Sequence, residues 1–363
     1  NQCTIKKIVF SNQKKFYSGN KCDNVFSNLD TEADKGDNFH KIKYNMLFAR
    51  NDKLVQPRFT MGIPRGLIFY EDYPFWHSLL TACNIRPLLS GVTTVAQYEK
   101  GIKTIMADNI CFPAKLMHGH IMYLLKKNVD RILYPYIVYE RQEHSKAANS
   151  YNCPIVSGYS DVLISAIEPQ ELYNIPIDSP VLNFNEKSLL TASLTKYLLQ
   201  FDIEKSIIKH AIKQALQSQA DYEDSLKSTV HHLYKKALSE GKSIIVLAGR
   251  PYHIDPLIQH KISEAIADFG VTVVNEDIVR FSEGDFFDTT DSVAQWAFPN
   301  RILKAAKWVA NQPEQVHFVQ ITSFGCGPDA FINEEIKQLL QAKGKSYTLL
   351  KVDDVNNIGS LKL

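Results

Sequence analysis

Cysteine is scarce in this chain, with six residues among 363. So few thiols over that length cannot staple a secreted scaffold, which points to reduced thiols in a cytoplasmic setting. Charge of one sign is lacking too. Lysine and arginine number 41 against 39 acidic residues, a net charge of +2, and that bias is too slight to argue for a nucleic-acid or membrane-surface partner. No apolar run approaches the roughly 18 to 20 residues that span a bilayer, and no signal-peptide pattern is read at the start. There is no Cys-x-x-Cys pair, no P-loop, no solenoid repeat and no low-complexity tract. What is present, 45% hydrophobic and 22% charged residues, suits a soluble globular protein of two or three domains. Asn1 is not an initiator methionine, so a processed chain or a piece of a longer polypeptide is expected.

Residues 1–59 are the least regular part, with a short strand at Lys6–Phe10, a turn at Ser18–Asp23 and a helix over about 39–49. From Thr60 short apolar strands alternate with helical spacing, which predicts a first α/β lobe over 60–185. Its strands are expected near 61–64, 86–89 and 131–135, with helices over about 73–83, 95–105 and 112–127. The span 186–240 reads as helical without a strand, a connector between lobes. A second α/β lobe follows over 241–363, with strands near 244–248, 271–274, 316–321 and 347–350 and helices at about 257–269, 295–311 and 329–342. The fold class expected is therefore α/β, two Rossmann-like, doubly wound parallel-sheet lobes joined by a helical connector. The acidic, irregular stretch Asn275–Ser292 reads as a lid, and the lobes are expected to move relative to each other.

The most informative stretch is Ala107-Asp108-Asn109-Ile110-Cys111-Phe112-Pro113-Ala114-Lys115-Leu116-Met117-His118-Gly119-His120. Cys111 stands directly before an expected helix start, with Pro113 where a first-turn proline loses no hydrogen bond. A thiol there faces the positive end of the helix dipole, which favours the thiolate. The plain alternative is a small buried cysteine filling a strand-to-helix corner. Cys153 and Cys326 likewise fall in loops around strand ends, Cys326 between Gly325 and Gly327. Ligands of open parallel sheets collect beyond the carboxyl ends of the strands, so three thiols from two lobes are drawn toward one crevice. Their spacing matches no zinc-finger or ferredoxin pattern.

Several segments together resemble one family. They are Gly62-Ile63-Pro64-Arg65, Tyr70-Glu71-Asp72-Tyr73-Pro74-Phe75-Trp76, the Cys111–His120 segment, Tyr151-Asn152-Cys153-Pro154, Ala248-Gly249-Arg250-Pro251-Tyr252-His253 and Ser323-Phe324-Gly325-Cys326-Gly327. The family is the acyl-CoA dehydratase activase-related one, kin to the iron–sulfur subunits of 2-hydroxyacyl-CoA dehydratases, benzoyl-CoA reductases and double-cubane-cluster proteins. The resemblance runs from about Ser18-Gly19-Asn20-Lys21-Cys22 to the C-terminus. It implies a [4Fe–4S]-type iron–sulfur cluster between the lobes, held by Cys111, Cys153 and Cys326, with Gly325 and Gly327 offering backbone N–H groups to it. It also implies an activase ATPase of the actin/hexokinase type, separate or fused upstream. The cysteine count departs from that of the double-cubane relatives. No actin-type phosphate motif is read, nor one for the CoA nucleotide.

On this reading the chain is an iron–sulfur, electron-transfer component of a 2-hydroxyacyl-CoA dehydratase-type or related low-potential reductase system. Whether it turns over acyl-CoA or another small substrate itself, as a lyase or reductase component, is left open. A non-catalytic scaffold that docks activase domains and a structural zinc protein stand as alternatives. Cys22 is a further ligand, a lid thiol or a surface thiol; Cys83 belongs to a helix's apolar face; Cys3 is terminal. His118 and His120, two apart on a helix, cannot both face one site. Arg65, Arg250, Tyr252 and His253, at strand ends, are candidates for substrate or proton contact, with turn structure as the alternative.

Overall fold

In the computed structural model, which describes residues 6–9, 15–18, 35–51, 53–127, 129–143, 146–280 and 295–353, the expected apolar segments pair into two four-stranded parallel sheets. A separate antiparallel pair, β1 (Lys6–Val9) and β2 (Lys15–Ser18), precedes them. The first sheet holds β3 (Thr60–Ile63), β4 (Arg86–Leu89), β5 (Arg131–Leu133) and β7 (Ile177–Asp178) in the order β4-β3-β5-β7. The second holds β9 (Ile244–Ala248), β10 (Thr272–Val274), β11 (Val316–Ser323) and β12 (Tyr347–Val352) in the order β10-β9-β11-β12. Strands such as Ile244-Ile245-Val246-Leu247-Ala248 carry almost no polar residue because both faces are covered. In each sheet the first strand is flanked by the second and the third. The direction of winding therefore reverses beside β3 and again beside β9, which creates a crevice between strand ends in each.

Proline shapes the details. The segment 131–135 ends as a strand at Leu133, since Pro135 can donate no ladder hydrogen bond, and β6 (Tyr136–Tyr139) starts afresh and pairs with β8 (Val181–Asn183). The helix expected over 257–269 spans only Ile262–Asp268. Pro256 and the left-handed His260 and Lys261 hold the preceding residues in turns. The helix expected over 73–83 starts earlier, at Phe69, and contains Pro74. That expected over 95–105 stops at Gly101 and tightens into a single 3-10 turn.

The span 186–240 forms the helices Lys187–Leu199 and Lys205–Ser239. The second buries Ile208, Ala211, Ile212, Ala215, Tyr222, Leu226, Val230 and Leu233, a stripe at three- and four-residue spacing. One continuous apolar core runs from Met61 and Ile132 of the first sheet to Val246 and Phe318 of the second. A smaller cluster, including Leu247, Ile262, Val273 and Ile321, covers the other face of the second sheet.

The helix Phe39–Phe48 joins the two halves. Its Asn38 side chain caps it by accepting from the Lys41 N–H, and Asn38 also bridges to Val273. Its buried Lys43 pairs with Asp277. Around that pair lies a buried ionic network. Arg280 and Arg301 both reach Glu71 and Glu143, and Arg141 spans Asp72 at 3.0 Å and Glu223 at 2.6 Å. Of the stretch read as a lid, Asn275–Arg280 is buried and belongs to this network; residues 281–292 lie outside the described residues.

Candidate functional site

Cys111, Cys153 and Cys326 share one local structure. Each is the N-cap of a helix, Phe112–Leu124, Pro154–Ile167 and Gly327–Gln341 respectively, and each is followed within two residues by proline. In none does the side chain make the usual capping bond. N-caps are ordinarily Ser, Thr, Asp or Asn, whose oxygen satisfies a free N–H. A thiol is a poor substitute, so each helix start presents its positive dipole end beside a sulfur. Helices that return the chain to the next parallel strand begin at the carboxyl edge of the sheet, so the three thiols stand on the two carboxyl edges.

The edges meet. Gly325, at φ +75°, sits where a side chain's first carbon would come within 3.3 Å of the Asn109 carbonyl, which brings the Cys326 loop against the loop of Cys111. The left-handed backbone there also favours glycine on its own account. Beyond its chain neighbours and its own helix backbone, no atom of the described residues lies within 4 Å of where such a carbon would sit at Gly327. Phe112 stacks on His260 of the other half, with ring centroids 6.2 Å apart.

Between the thiols lies Arg250, only 2% exposed. Its Nε and Nη2 donate to Asp329 Oδ1 at 2.9 and 2.6 Å, and its Nη2 stands 3.6 Å from Cys326 Sγ. Asp329 Oδ2 accepts from the Thr322 hydroxyl at 2.7 Å. Burial works against the Asp329 carboxylate, but Arg250 outweighs it and holds the group below its ordinary value. Burial pushes Cys111 up to about 11, with the neighbouring Cys153 adding to the shift and Arg250 opposing it. Burial likewise pushes Cys326 up to about 12 against the pull of Arg250. Desolvation at Cys111 and Cys326 thus opposes the thiolate that a helix end favours. Tyr252, buried next to Arg250, is raised chiefly by burial, and it senses all three thiols.

The other candidates have structural partners. His253 Nδ1 accepts from the Arg250 N–H at 2.9 Å, and its Nε2 lies 3.4 Å from the Ser323 hydroxyl. Burial depresses it to about 3, so it is neutral. Gly249 makes room for that ring: a side-chain carbon there would fall 2.6 Å from His253 Nδ1. His118 is bonded to Thr104 and Tyr159, and His120 to Ser90, Thr93 and Gln97. Burial lowers them to about 4 and about 3. Arg65 donates to the Tyr44 hydroxyl at 2.7 Å and lies over the Phe48 ring at 4.6 Å. Cys83 is a core residue, 1% exposed. Cys3 and Cys22 lie outside the described residues. Among the described residues no group of three or more His, Cys, Asp or Glu side chains could hold a metal ion.

Sequence reading missed Asp329, although an acidic residue in the first turn after Cys326-Gly327-Pro328 is a helix-start signal. It also missed Tyr134 and Tyr159, which sense Cys111 from beneath.

A family model described as the CoA enzyme activase uncharacterised domain matches residues 60–279. No curated protein matches the chain. Among solved structures, the C-terminal domain of glucosamine-fructose-6-phosphate aminotransferase from Francisella tularensis aligns over 86% of each chain, at 7% identity and a TM-score of 0.22. That likeness carries no argument. No helix among the described residues is long and apolar enough to cross a membrane.

Proposed function

The chain belongs to the CoA enzyme activase uncharacterised domain family, and on that premise we propose that it is the iron–sulfur-binding component of an ATP-coupled, low-potential reductase or 2-hydroxyacyl-CoA dehydratase-type system. Membership ties it to an activase system. The actin/hexokinase type of that ATPase and a cytoplasmic setting belong to the proposal.

The observation that carries the reading is the set of three proline-started helices capped by Cys111, Cys153 and Cys326. Three positive helix ends and one buried guanidinium compensate negative charge on a thiolate-bound group. The donor set therefore fits an anionic iron–sulfur cluster, with these three cysteines as ligands. Bound there, such a cluster supplies one-electron transfer at low potential. Zinc would need its thiolates about 3.8 Å apart, from bonds of about 2.3 Å in a tetrahedron. Cys111, Cys153 and Cys326 would each hold a separate iron of one cluster, which still asks the three sulfurs to converge.

The protein's own residues have separable tasks. Arg250, fixed by Asp329, offers an N–H to Cys326 sulfur and so favours its thiolate. Tyr134 and Tyr252 place buried rings beside the partly exposed thiols. His253 holds the Arg250 turn in shape.

Reconstitution with iron and sulfide without oxygen tests the reading. Wild-type protein should turn brown and carry iron and sulfide in near-equal amounts. Cys111→Ser, Cys153→Ser and Cys326→Ser should each lose or convert that absorbance, whereas Cys83→Ala should keep it. Colourless wild-type protein with stoichiometric zinc, or full cluster content in any of the three serine variants, would overturn it.

A further inference from the structure

Asp255 is a fully buried carboxylate at the end of the turn Pro251–Ile254. Among the described residues no cation pairs with it, and four neutral donors meet it instead. Its Oδ1 accepts from the backbone N–H groups of Leu257 at 2.8 Å and Ile258 at 3.2 Å, in its own following turn. Its Oδ2 accepts from two hydroxyls of the other half, Tyr70 and, at 2.5 Å, Thr93. Burial works against the charge, and the Thr93 and Tyr70 hydroxyls lead what opposes it. A hydroxyl has one proton to give. Thr93 gives its own to Asp255, so at its 3.3 Å contact with His120 Nε2 it accepts. His120 lies on the helix that Cys111 caps, so one chain of hydrogen bonds runs from that helix to Asp255.

Asp255 stands in the middle of a segment whose two ends reach the thiols. Upstream, Arg250 Nη2 lies 3.6 Å from Cys326 Sγ. Downstream, His260 stacks on Phe112, the residue after Cys111. Between these ends the chain forms a single 3-10 turn and further turns, closing on the left-handed His260 and Lys261. No helix or strand ladder sets its course, so a fixed point at Asp255 governs where both ends fall. Hydrogen bonds to a buried charge are the strong kind, and here the two that cross between halves converge on one oxygen.

We propose that Asp255 is a positioning residue: it clamps the segment 250–260 to Tyr70 and Thr93 of the other half, and so fixes Arg250 beside Cys326 and His260 against the Cys111 helix. That the placement serves a bound cluster rests on the function proposed above; the clamp itself does not. Hydrogen exchange of the whole metal-free protein, read by mass spectrometry, tests the clamp. Thr93→Val keeps the shape and loses the hydroxyl, whereas Thr93→Ser keeps the hydroxyl and loses a methyl group. In Thr93→Val the amides of 254–260 should exchange about 10- to 100-fold faster, the loss of one hydrogen bond to a charged group. Those of β3 and β9 should not change, and Thr93→Ser should restore protection. Tyr70→Phe should act as Thr93→Val does, and replaces it if circular dichroism shows Thr93→Val unfolded. Retention of a reconstituted cluster against a chelator should fall about 10-fold in Thr93→Val. Unchanged exchange at 254–260, equal acceleration in β3 and β9, or better protection in Thr93→Val than in Thr93→Ser would overturn the clamp. Unchanged retention would overturn its service to the cluster. If wild-type protein takes up no cluster, the proposed function fails and the exchange result alone decides the clamp.

Discussion

Replacing Asp329 by asparagine removes one charge and almost no volume from a place where both members of an ion pair are about 1% exposed. Asp329 Oδ1 accepts both bonds from Arg250 while Oδ2 accepts from Thr322. The amide can keep its oxygen toward Arg250 and turn its nitrogen to the Thr322 hydroxyl, so the hydrogen bonds survive and the charge compensation does not. Leaving one buried charge unpaired costs about 3–5 kcal/mol. Because the acceptor is retained, a loss near the lower end, about 3 kcal/mol, is expected in urea unfolding of reduced, metal-free protein. A double-mutant cycle with Arg250→Met isolates the pair. Arg250→Met alone should also be costly, and the double variant should cost clearly less than the sum. A second readout is chemical. Arg250 pulls the Cys326 thiol down while Asp329 pushes it up, so Asp329→Asn should speed alkylation of Cys326. Single-variant losses below about 1 kcal/mol, or strict additivity in the double, would refute the reasoning, because a buried pair cannot be both intact and dispensable.

Two further predictions concern acidity and backbone shape. Burial raises Asp72 to about 7 against the pull of Arg141, so its stabilising contribution is complete below about pH 4 and is lost as pH rises toward 7. Asp72→Asn should therefore gain on the wild type between pH 4.5 and 8 by on the order of 1–3 kcal/mol in denaturant unfolding, and a pH-independent difference would contradict the assignment. Gly325→Ala must adopt a positive φ beside the Asn109 carbonyl and should cost about 1–2 kcal/mol; Gly327→Ala, with open space around it, should cost less, and equal losses would count against this reading.

Alternation of short apolar runs with helical spacing made the two parallel sheets legible. Runs such as Ile244–Ala248 and Thr272–Val274 have no polar face to offer, which is the mark of strands covered on both sides. The boundaries that went astray were decided by proline and by left-handed residues. Pro135 split one strand, and His260 and Lys261 delayed a helix. No local pattern announced β7, whose two residues are held by pairing to β5 alone. The ionic network was invisible for a different reason. Glu71, Glu143, Arg280 and Arg301 are far apart in sequence, and each alone reads as surface charge, while their mutual burial is decided by tertiary packing.

At the thiols, local reading picked out three helix-start cysteines, and burial moves the acidity of Cys111 and Cys326 the other way from the helix-end argument. The helix starts after Cys111 and Cys326 were visible, because proline in a first turn has a local cause, whereas the helix Pro154–Ile167 after Cys153 was not read. A helix end also has a local cause, so a lowered thiol pKa followed from it. Desolvation has none: the rings of Tyr134, Tyr159 and Tyr252 come from three separate segments and are brought near the thiols only in the folded chain. Their burial raises Cys111 and Cys326 by more than Arg250 and the backbone donors lower them. The same arrangement then makes a demand on any occupant. With Cys111 and Cys326 held as thiols by burial, and three helix N-termini around the site, a ligand that takes those thiol protons off and brings negative charge in is favoured there. Loading should accordingly release protons and strengthen with rising pH. Arg250 is the residue that links the two states, since its tie to Asp329 keeps it in place whether or not the sulfurs are charged.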